Sequence, residues 1–158
     1  MLKKIMGAVA VSSLLCAVNV SAAGNIAVEE SVKLNVKPSA VWALLGDYNG
    51  LYRWHPAVAS SDRDNKVRVL TLGNGAKITE TLLSKDEGKR SYRYQIDKSP
   101  LPVSDYESEI QVKLDGQGGS IVVWSSSFNA AGASDAEAEK TIRGVYQAGL
   151  QNLDKLYN

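Results

Sequence analysis

Alternating hydrophobic and polar residues run through the middle of the chain, from about residue 57 to residue 128. Because side chains alternate between the two faces of a strand, this pattern predicts β-strands. Stretches rich in Gly, Asn and Asp interrupt the alternation and predict short turns at 63–65, 73–75, 86–88 and 115–119. The predicted strands are 57–63, 66–72, 76–85, 89–97, 104–114 and 119–129. Short connections between consecutive strands favour an antiparallel meander.

Two further elements precede this region. Residues 27–36 alternate imperfectly and predict one more strand. Pro38 fits the first turn of a helix, and Val41 and Leu45 lie on its apolar stripe. Glycines follow closely, so the helix is predicted to be short and bent and to end before Trp54.

A long helix is predicted at the end of the chain. Ser134 and Glu137 have the spacing of a capping box, which satisfies backbone N–H groups at a helix start. Apolar residues then recur at three- and four-residue steps, at Ile142, Val145, Tyr146, Gly149, Leu153 and Leu156. The element order predicts an α+β fold in a single domain spanning residues 23–158.

The first residues are basic and then apolar. Lys3 and Lys4 precede an apolar run at 5–18, and small residues follow at 20–23. This order is typical of a secretory signal peptide, here 1–22, with cleavage after Ala22 or after Ala23. The run of about 14 residues is shorter than the roughly 20 that span a bilayer, which favours a cleaved signal over the alternative of a membrane anchor. The prediction is a periplasmic protein without a stable membrane anchor.

Charge and composition exclude several classes of function. The 158-residue chain has 18 Lys+Arg against 17 Asp+Glu, so it lacks the basic excess of a nucleic-acid binder. Its single cysteine, Cys16, lies in the predicted signal, which leaves no thiolate for a metal or for catalysis. With a single histidine as well, we expect no metal site and no cofactor.

Alternation also assigns the side chains to the faces of the sheet. Because the opposite faces are charged, the face predicted to point inward carries Ile78, Glu80, Leu82, Tyr92, Tyr94, Ile96, Tyr106, Ser108, Ile110, Val112, Leu114, Val122, Trp124, Ser126 and Phe128. A carboxylate among phenols, hydroxyls and an indole is unusual for a plain core and suits a cavity that holds a largely apolar ligand. The alternative is a packed core in which Glu80 hydrogen-bonds Tyr94 or Tyr106, or lies at a strand end in water.

Three roles fit the histidine in the predicted helix-to-strand turn. His55, between Trp54 and Pro56, fits either a hydrogen-bonding group at a cavity mouth, a proton-transfer group, or a turn residue bound to a nearby carbonyl. The candidate ligand-binding residues are therefore Trp54, His55, Glu80, Tyr92, Tyr94, Tyr106, Ser108 and Trp124. No catalytic residue is assigned.

Several motifs in order resemble a known superfamily. The segments 41–62, 67–87 and 92–112, with the runs WHPAV at 54–58, LPVSDY at 101–106 and GVYQAGL at 144–150, carry the resemblance. Residues 27–157 are similar to the SRPBCC (START/Bet v 1-like, polyketide cyclase/dehydrase-type) superfamily, and most similar to its periplasmic MxaD-like group.

This resemblance implies a helix-grip fold. A curved seven-stranded antiparallel sheet would wrap around the long C-terminal helix, two short helices would follow strand 1, and a hydrophobic cavity would lie between sheet and helix. The loops 72–76 and 99–105 would border its mouth. Glu80, Tyr106 and Ser108 match polar cavity positions of related plant hormone receptors, whereas no basic residue near 57–61 matches the one that pairs with a ligand carboxylate there.

The resemblance also implies a function. The expectation is an exported, non-enzymatic protein that binds a small hydrophobic or aromatic molecule and serves as an accessory factor of a methanol-oxidation-type redox system, with a periplasmic dehydrogenase or cytochrome as partner. One alternative is a polyketide cyclase- or aromatase-like enzyme that uses Glu80 or His55 as general base. Another is a protein with a filled interior that docks partners through the two loops.

Overall fold

The computed structural model describes residues 24–158. The predicted signal peptide lies outside these residues. The elements, in chain order, are β1 (Ile26–Leu34), α1 (Pro38–Leu45), a 3₁₀ helix (Tyr48–Arg53), β2 (Val58–Asp64), β3 (Val67–Leu72), β4 (Lys77–Asp86), β5 (Ser91–Lys98), β6 (Val103–Leu114), β7 (Ser120–Ala130) and α2 (Asp135–Tyr157). The predicted strands agree with the observed ones to within two residues at each end.

All seven strands form one antiparallel sheet in the order β1-β7-β6-β5-β4-β3-β2. Strands β2 to β7 form the predicted meander, and β1 returns to pair with β7 in a register that joins Ile26 to Phe128 and Leu34 to Ser120. The curved sheet holds α2 against its inner face, which confirms the helix-grip fold.

The chain between β1 and β2 forms two helical segments rather than one bent helix. Pro38 opens α1, and the N–H of Gly46 closes it on the carbonyl of Trp42. Asp47 then starts the 3₁₀ helix, because its side chain accepts a hydrogen bond from the N–H of Asn49 at 3.0 Å. The C-cap of one helix is thus followed at once by the N-cap of the next.

The long helix α2 begins at the predicted capping box. The Ser134 hydroxyl accepts from the N–H of Glu137, while the Glu137 carboxylate accepts from the N–H of Ser134 at 2.9 Å. Ile142, Tyr146 and Leu153 are buried against the sheet, as their spacing predicts. Leu156 is an exception: it is 55% exposed, because Leu153 and Tyr157 are the residues that face the core at this end of the helix.

Burial bears out the predicted inner face of the sheet with one correction. Leu114 is 70% exposed, since it lies at the end of β6 beside the Gly-rich turn to β7, where the strand has left the core. Leu82 and Ile96 are half-buried. The remaining predicted inner residues are buried, namely Ile78, Glu80, Tyr92, Tyr94, Tyr106, Ser108, Ile110, Val112, Val122, Trp124, Ser126 and Phe128.

Close contact between α2 and the sheet depends on Gly149. A Cβ at this position would lie 2.8 Å from His55 Cδ2 and 3.0 Å from a ring carbon of Trp54 and of Trp124. The helix can therefore approach the Trp54–His55 turn only because residue 149 has no side chain. Over residues 24–158, no helix is both long and apolar enough to cross a membrane.

Candidate ligand-binding cavity

A small cavity lies between the inner face of the sheet and α2. Its volume is about 80 Å³. The apolar part of its wall consists of Leu51, Ala57, Val58, Leu70, Leu72, Ile78, Ile96, Leu101, Ile142 and Val145. The polar and aromatic part consists of His55, Glu80, Tyr94, Tyr106 and Trp124. A space of this size holds a few waters or a very compact molecule, whereas drug-sized ligands occupy roughly 300–1,000 Å³.

Five of the eight predicted site residues therefore meet at one cavity, and three lie behind its wall. Ser108 is buried behind Trp124, which donates from Nε1 to the Ser108 hydroxyl at 3.0 Å. Trp54 packs edge-on against Trp124, with ring centroids 5.4 Å apart. Tyr92 lies behind Tyr94 at a centroid distance of 6.0 Å. These three residues support the wall residues.

The carboxylate of Glu80 is paired with a residue that the sequence interpretation missed. Arg68 on β3 is fully buried, and its Nε and Nη2 both lie 2.7 Å from Glu80 Oε2. Arg68 Nη1 donates to the carbonyl of Tyr48, and the guanidinium lies over the Tyr48 ring, 4.0 Å from its centroid. The packed-core alternative, in which Glu80 bonds Tyr94 or Tyr106, is wrong in its choice of partner.

A signal for Arg68 was present in the sequence. In the run VRVLTL of β3, alternation places Arg68 on the same face as Leu70 and Leu72, and both of these line the cavity. A buried basic residue is thus present on β3, where it pairs with Glu80. Arg68 lies directly opposite Glu80 in the pairing of β3 with β4.

Burial and pairing act against each other on this ion pair. Removal from water raises the pKa of Glu80 above its ordinary value, and attraction by Arg68 offsets this only in part. For Arg68, burial by itself lowers the pKa, but attraction by Glu80 and the neighbouring tyrosine hydroxyls raises it overall. Because a guanidinium stays protonated in proteins, Glu80 is its compensating anion.

A hydrogen-bonded chain of hydroxyl groups and an indole connects the wall residues Tyr94, Tyr106 and Trp124. Trp124 Nε1 donates to Tyr94 at 3.1 Å as well as to Ser108. Ser108 lies 3.3 Å from the hydroxyl of Tyr146, which in turn bonds the hydroxyl of Tyr106. Tyr146 also stacks on Trp124, with centroids 4.3 Å apart. Burial raises the pKa of Tyr146 to about 12 and those of Tyr94 and Tyr106 well above 10, so all three stay neutral phenols.

His55 is held in one neutral form. It is 3% exposed, its Nε2 lies 2.9 Å from the carbonyl of Val145, and its Nδ1 accepts from the N–H of Ala57 at 3.2 Å. Since a carbonyl accepts only, Nε2 carries the proton. Burial lowers the pKa of His55 below its ordinary value. Both ring nitrogens are therefore occupied, which matches the prediction of a turn residue bound to a nearby carbonyl, while the ring edge still reaches the cavity.

An opening in the sheet lies beside the cavity. Strands β5 and β6 pair as far as Gln95 and Glu107 and then diverge. A groove of about 600 Å³ lies between the diverging ends, and Ile96 and Tyr106 belong to both the groove and the cavity wall. Leu101, in the loop that joins the two strands, also lines the cavity. The loop 99–105 thus borders the cavity on the side of this groove, and Leu72 reaches it from the loop 72–76.

Candidate metal ligands do not converge in the described residues. Between residues 24 and 158, no three side chains of His, Cys, Asp or Glu are grouped as a metal site requires. The polar groups of the cavity are instead one ion pair, one neutral imidazole and a set of phenols. This arrangement can hydrogen-bond a ligand.

The sequence matches one family over nearly all of the described chain. The profile described as "Polyketide cyclase / dehydrase and lipid transport" matches residues 25–158. The chain belongs to this family. Comparison with curated protein sequences gave no match. The resemblance to the SRPBCC superfamily is thereby confirmed, while its MxaD-like group stays a prediction.

Several solved structures share the fold of this chain. The protein XoxI from Bacillus cereus is 34% identical, with a TM-score of 0.81 over 83% of this chain and 94% of that one. A protein from Thermobifida fusca is 27% identical, with a TM-score of 0.71 over 80% and 89% of the two chains. The Zhui aromatase/cyclase from Streptomyces sp. R1128, at 18% identity, has a TM-score of 0.66 over 81% and 90% and shows the fold alone.

The position of the cavity agrees with the ligand-binding space of this fold family. The fold places a ligand-binding space between sheet and C-terminal helix, and the cavity of this chain lies there. Its small volume means that any ligand larger than a few atoms requires the wall to move. Leu101 is half-buried and lies in the loop between the diverging strands, outside the sheet.

Proposed function

We propose that the protein binds a small, largely apolar molecule in the cavity between the sheet and α2 and does not transform it. The observation that carries this proposal is the composition of the cavity wall. Ten apolar residues surround a few polar groups that are already positioned by hydrogen bonds. Ligand pockets commonly have this composition, with a small number of polar groups that orient the bound molecule.

The state of the two candidate bases supports binding over catalysis. A general base needs a free lone pair within reach of the substrate proton. His55 uses Nδ1 to accept from Ala57, and Glu80 is held by a permanently charged guanidinium. His55 therefore has no free lone pair, and the attraction of Arg68 makes Glu80 a weaker base than an unpaired carboxylate would be in the same site.

The proposal includes the place of action. The basic and then apolar run at the start of the sequence favours export to the periplasm. The similarity to the MxaD-like group favours an accessory role beside a periplasmic dehydrogenase or cytochrome. In such a role the bound molecule would regulate or accompany docking, and the redox chemistry would belong to the partner.

Native mass spectrometry of the protein purified gently from the periplasm tests this function. The expected result is a reproducible adduct with the mass of a small molecule, on a chain that has lost residues 1–22 or 1–23. A bare protein mass together with a co-purifying protein would contradict ligand binding and favour a docking protein. An intact N-terminus would contradict export by a cleaved signal.

A pair of variants on β4 assigns the adduct to the cavity. Ile78→Phe adds bulk at the wall and should abolish the adduct, because the larger side chain takes up space that the ligand needs in a cavity of only about 80 Å³. Thr79→Phe places the same side chain on the opposite face of the same strand and should retain it. Equal loss in both variants would show that the molecule binds elsewhere.

A further inference from the structure

The charge inside the cavity is compensated before any ligand arrives. Arg68 is fully buried, and both of its contacts with Glu80 are 2.7 Å long. A charged ligand would have to give up its hydration without finding a free counter-ion, which is costly in an apolar site. A neutral ligand avoids this cost.

Two groups on the cavity wall still have hydrogen-bonding capacity. Both Arg68 contacts fall on Oε2 of Glu80, and no donor between residues 24 and 158 pairs with Oε1. The hydroxyl of Tyr94 accepts from Trp124, and no acceptor in the same range takes its proton. Glu80 and Tyr94 lie on the paired strands β4 and β5. The wall therefore offers one acceptor and one donor, which a single hydroxyl group complements.

The groove beside the cavity is acidic, which also disfavours anionic ligands. Asp97, Asp105 and Glu107 line it; Glu107 is paired with Arg93, which leaves the two aspartates against Lys98. An acidic rim repels anions and leaves neutral molecules unaffected. The approach and the interior thus both disfavour a carboxylate.

We propose that the cavity selects neutral molecules with a compact apolar body and one hydroxyl group, such as phenols, and excludes carboxylates, with Glu80 as the residue that determines this specificity. The ligand hydroxyl donates to Glu80 Oε1 and accepts from Tyr94. Because the assignment names the ligand of the cavity, it rests on the proposed function.

Three probes of nearly equal shape test the selection. Phenol carries the hydroxyl, toluene replaces it with a methyl group, and benzoate replaces it with an anion. Titration of the ¹⁵N-labelled protein, followed through the indole N–H signals, gives a Kd for each. Phenol should bind at least ~10-fold more tightly than toluene, as expected for a hydrogen bond to a charged group. Benzoate should cause no saturable shift at about 100-fold the Kd of phenol.

The variant Glu80→Gln should reverse the selection. Without its carboxylate partner, the guanidinium of Arg68 becomes a free counter-ion, so benzoate should bind at least ~10-fold more tightly than to the unmodified protein, and phenol more weakly. Glu139→Gln is the matched control, since it removes a carboxylate from the exposed pair with Arg143 on α2. It should leave the ratio of the two Kd values unchanged. If Glu80→Gln is unstable, a benzoate-dependent rise in its Tm reports the same reversal.

The outcomes separate the two proposals. Equal affinity for toluene and phenol, or benzoate binding as tight as phenol, would overturn the selection while leaving the cavity as a ligand site. An unchanged preference in Glu80→Gln would remove Glu80 as its determinant. Failure of all three probes to bind would overturn the selection, whereas the proposed function is decided separately by the presence or absence of the native mass adduct.

Discussion

Replacing Arg68 by Met is the most informative test of how the interior is held together. The substitution keeps an unbranched side chain of similar length and removes the charge. Arg68 has no exposed surface, contacts Glu80 Oε2 through two nitrogens at 2.7 Å, and donates to the Tyr48 carbonyl. All of these contacts disappear in Arg68→Met, and Glu80 remains in a nearly dry site without a cation.

The expected cost is about 3–5 kcal/mol of unfolding free energy at pH 7, which is typical when one partner of a buried ion pair is removed. This is a large part of the roughly 5–15 kcal/mol that stabilises a domain. Burial raises the pKa of Glu80 above its ordinary 4.5, and loss of Arg68 removes the attraction that opposes this rise. The neutral form then favours folding at low pH and this contribution is lost as pH rises, so the deficit should be smaller at pH 5 than at pH 7.

Urea unfolding, followed by tryptophan fluorescence at both pH values, measures these effects. The double variant Arg68→Met with Glu80→Leu removes both charges and should lie within about 1 kcal/mol of the unmodified protein, or above it. A loss below ~1 kcal/mol for Arg68→Met at pH 7 would refute the reasoning. A double variant as unstable as the two single losses combined would refute it as well.

Three further predictions concern the helix α2 and its contact with the Trp54–His55 turn. Burial lowers the pKa of His55 from 6.5, so the stability that its neutral form contributes is complete above about pH 6.5 and is lost as pH falls towards the folded pKa. His55→Gln should therefore flatten this part of a plot of Tm against pH. An unchanged slope would assign the pH dependence to other groups. Gly149→Ala should lower the free energy of unfolding in urea by about 1–3 kcal/mol, because its Cβ meets three rings. Gly144→Ala, whose Cβ would have no atom within 4 Å, should raise it by about 0.5–1 kcal/mol. Equal effects of the two variants would contradict the packing argument. Ser134→Ala should lower the unfolding free energy by about 1 kcal/mol through loss of the capping box, and a change near zero would show that solvent replaces the cap.

Periodicity and turn chemistry were sufficient for the fold. Side chains on a strand alternate strictly, so the strands and most of the inner face followed from the sequence, and the Ser134–Glu137 spacing located the start of α2. The misplaced residues, Leu114 and Leu156, both lie at element ends. Periodicity describes a face and carries no information about where that face leaves the core.

The candidate site was only partly accessible from the sequence. Its members Glu80, Tyr94, Tyr106 and Trp124 were identifiable as polar or aromatic residues on an inner face. The partner of Glu80 was not, because pairing of β3 with β4 brings Arg68 opposite Glu80, and the choice among several basic residues depends on that register. The states of His55 also depend on distant residues, since its Nε2 contact is the carbonyl of Val145.

Local pattern thus determined which residues face inward, and the tertiary structure decided what they do there. The class of fold, the helix cap and the apolar character of the interior are set by neighbours in sequence, through strand alternation and helical spacing. Cavity volume, the compensated charge at Glu80 and the occupied nitrogens of His55 are set by distances between elements far apart in the chain. Those distances result from packing the sheet around α2, where a single missing Cβ at Gly149 controls how closely helix and sheet approach.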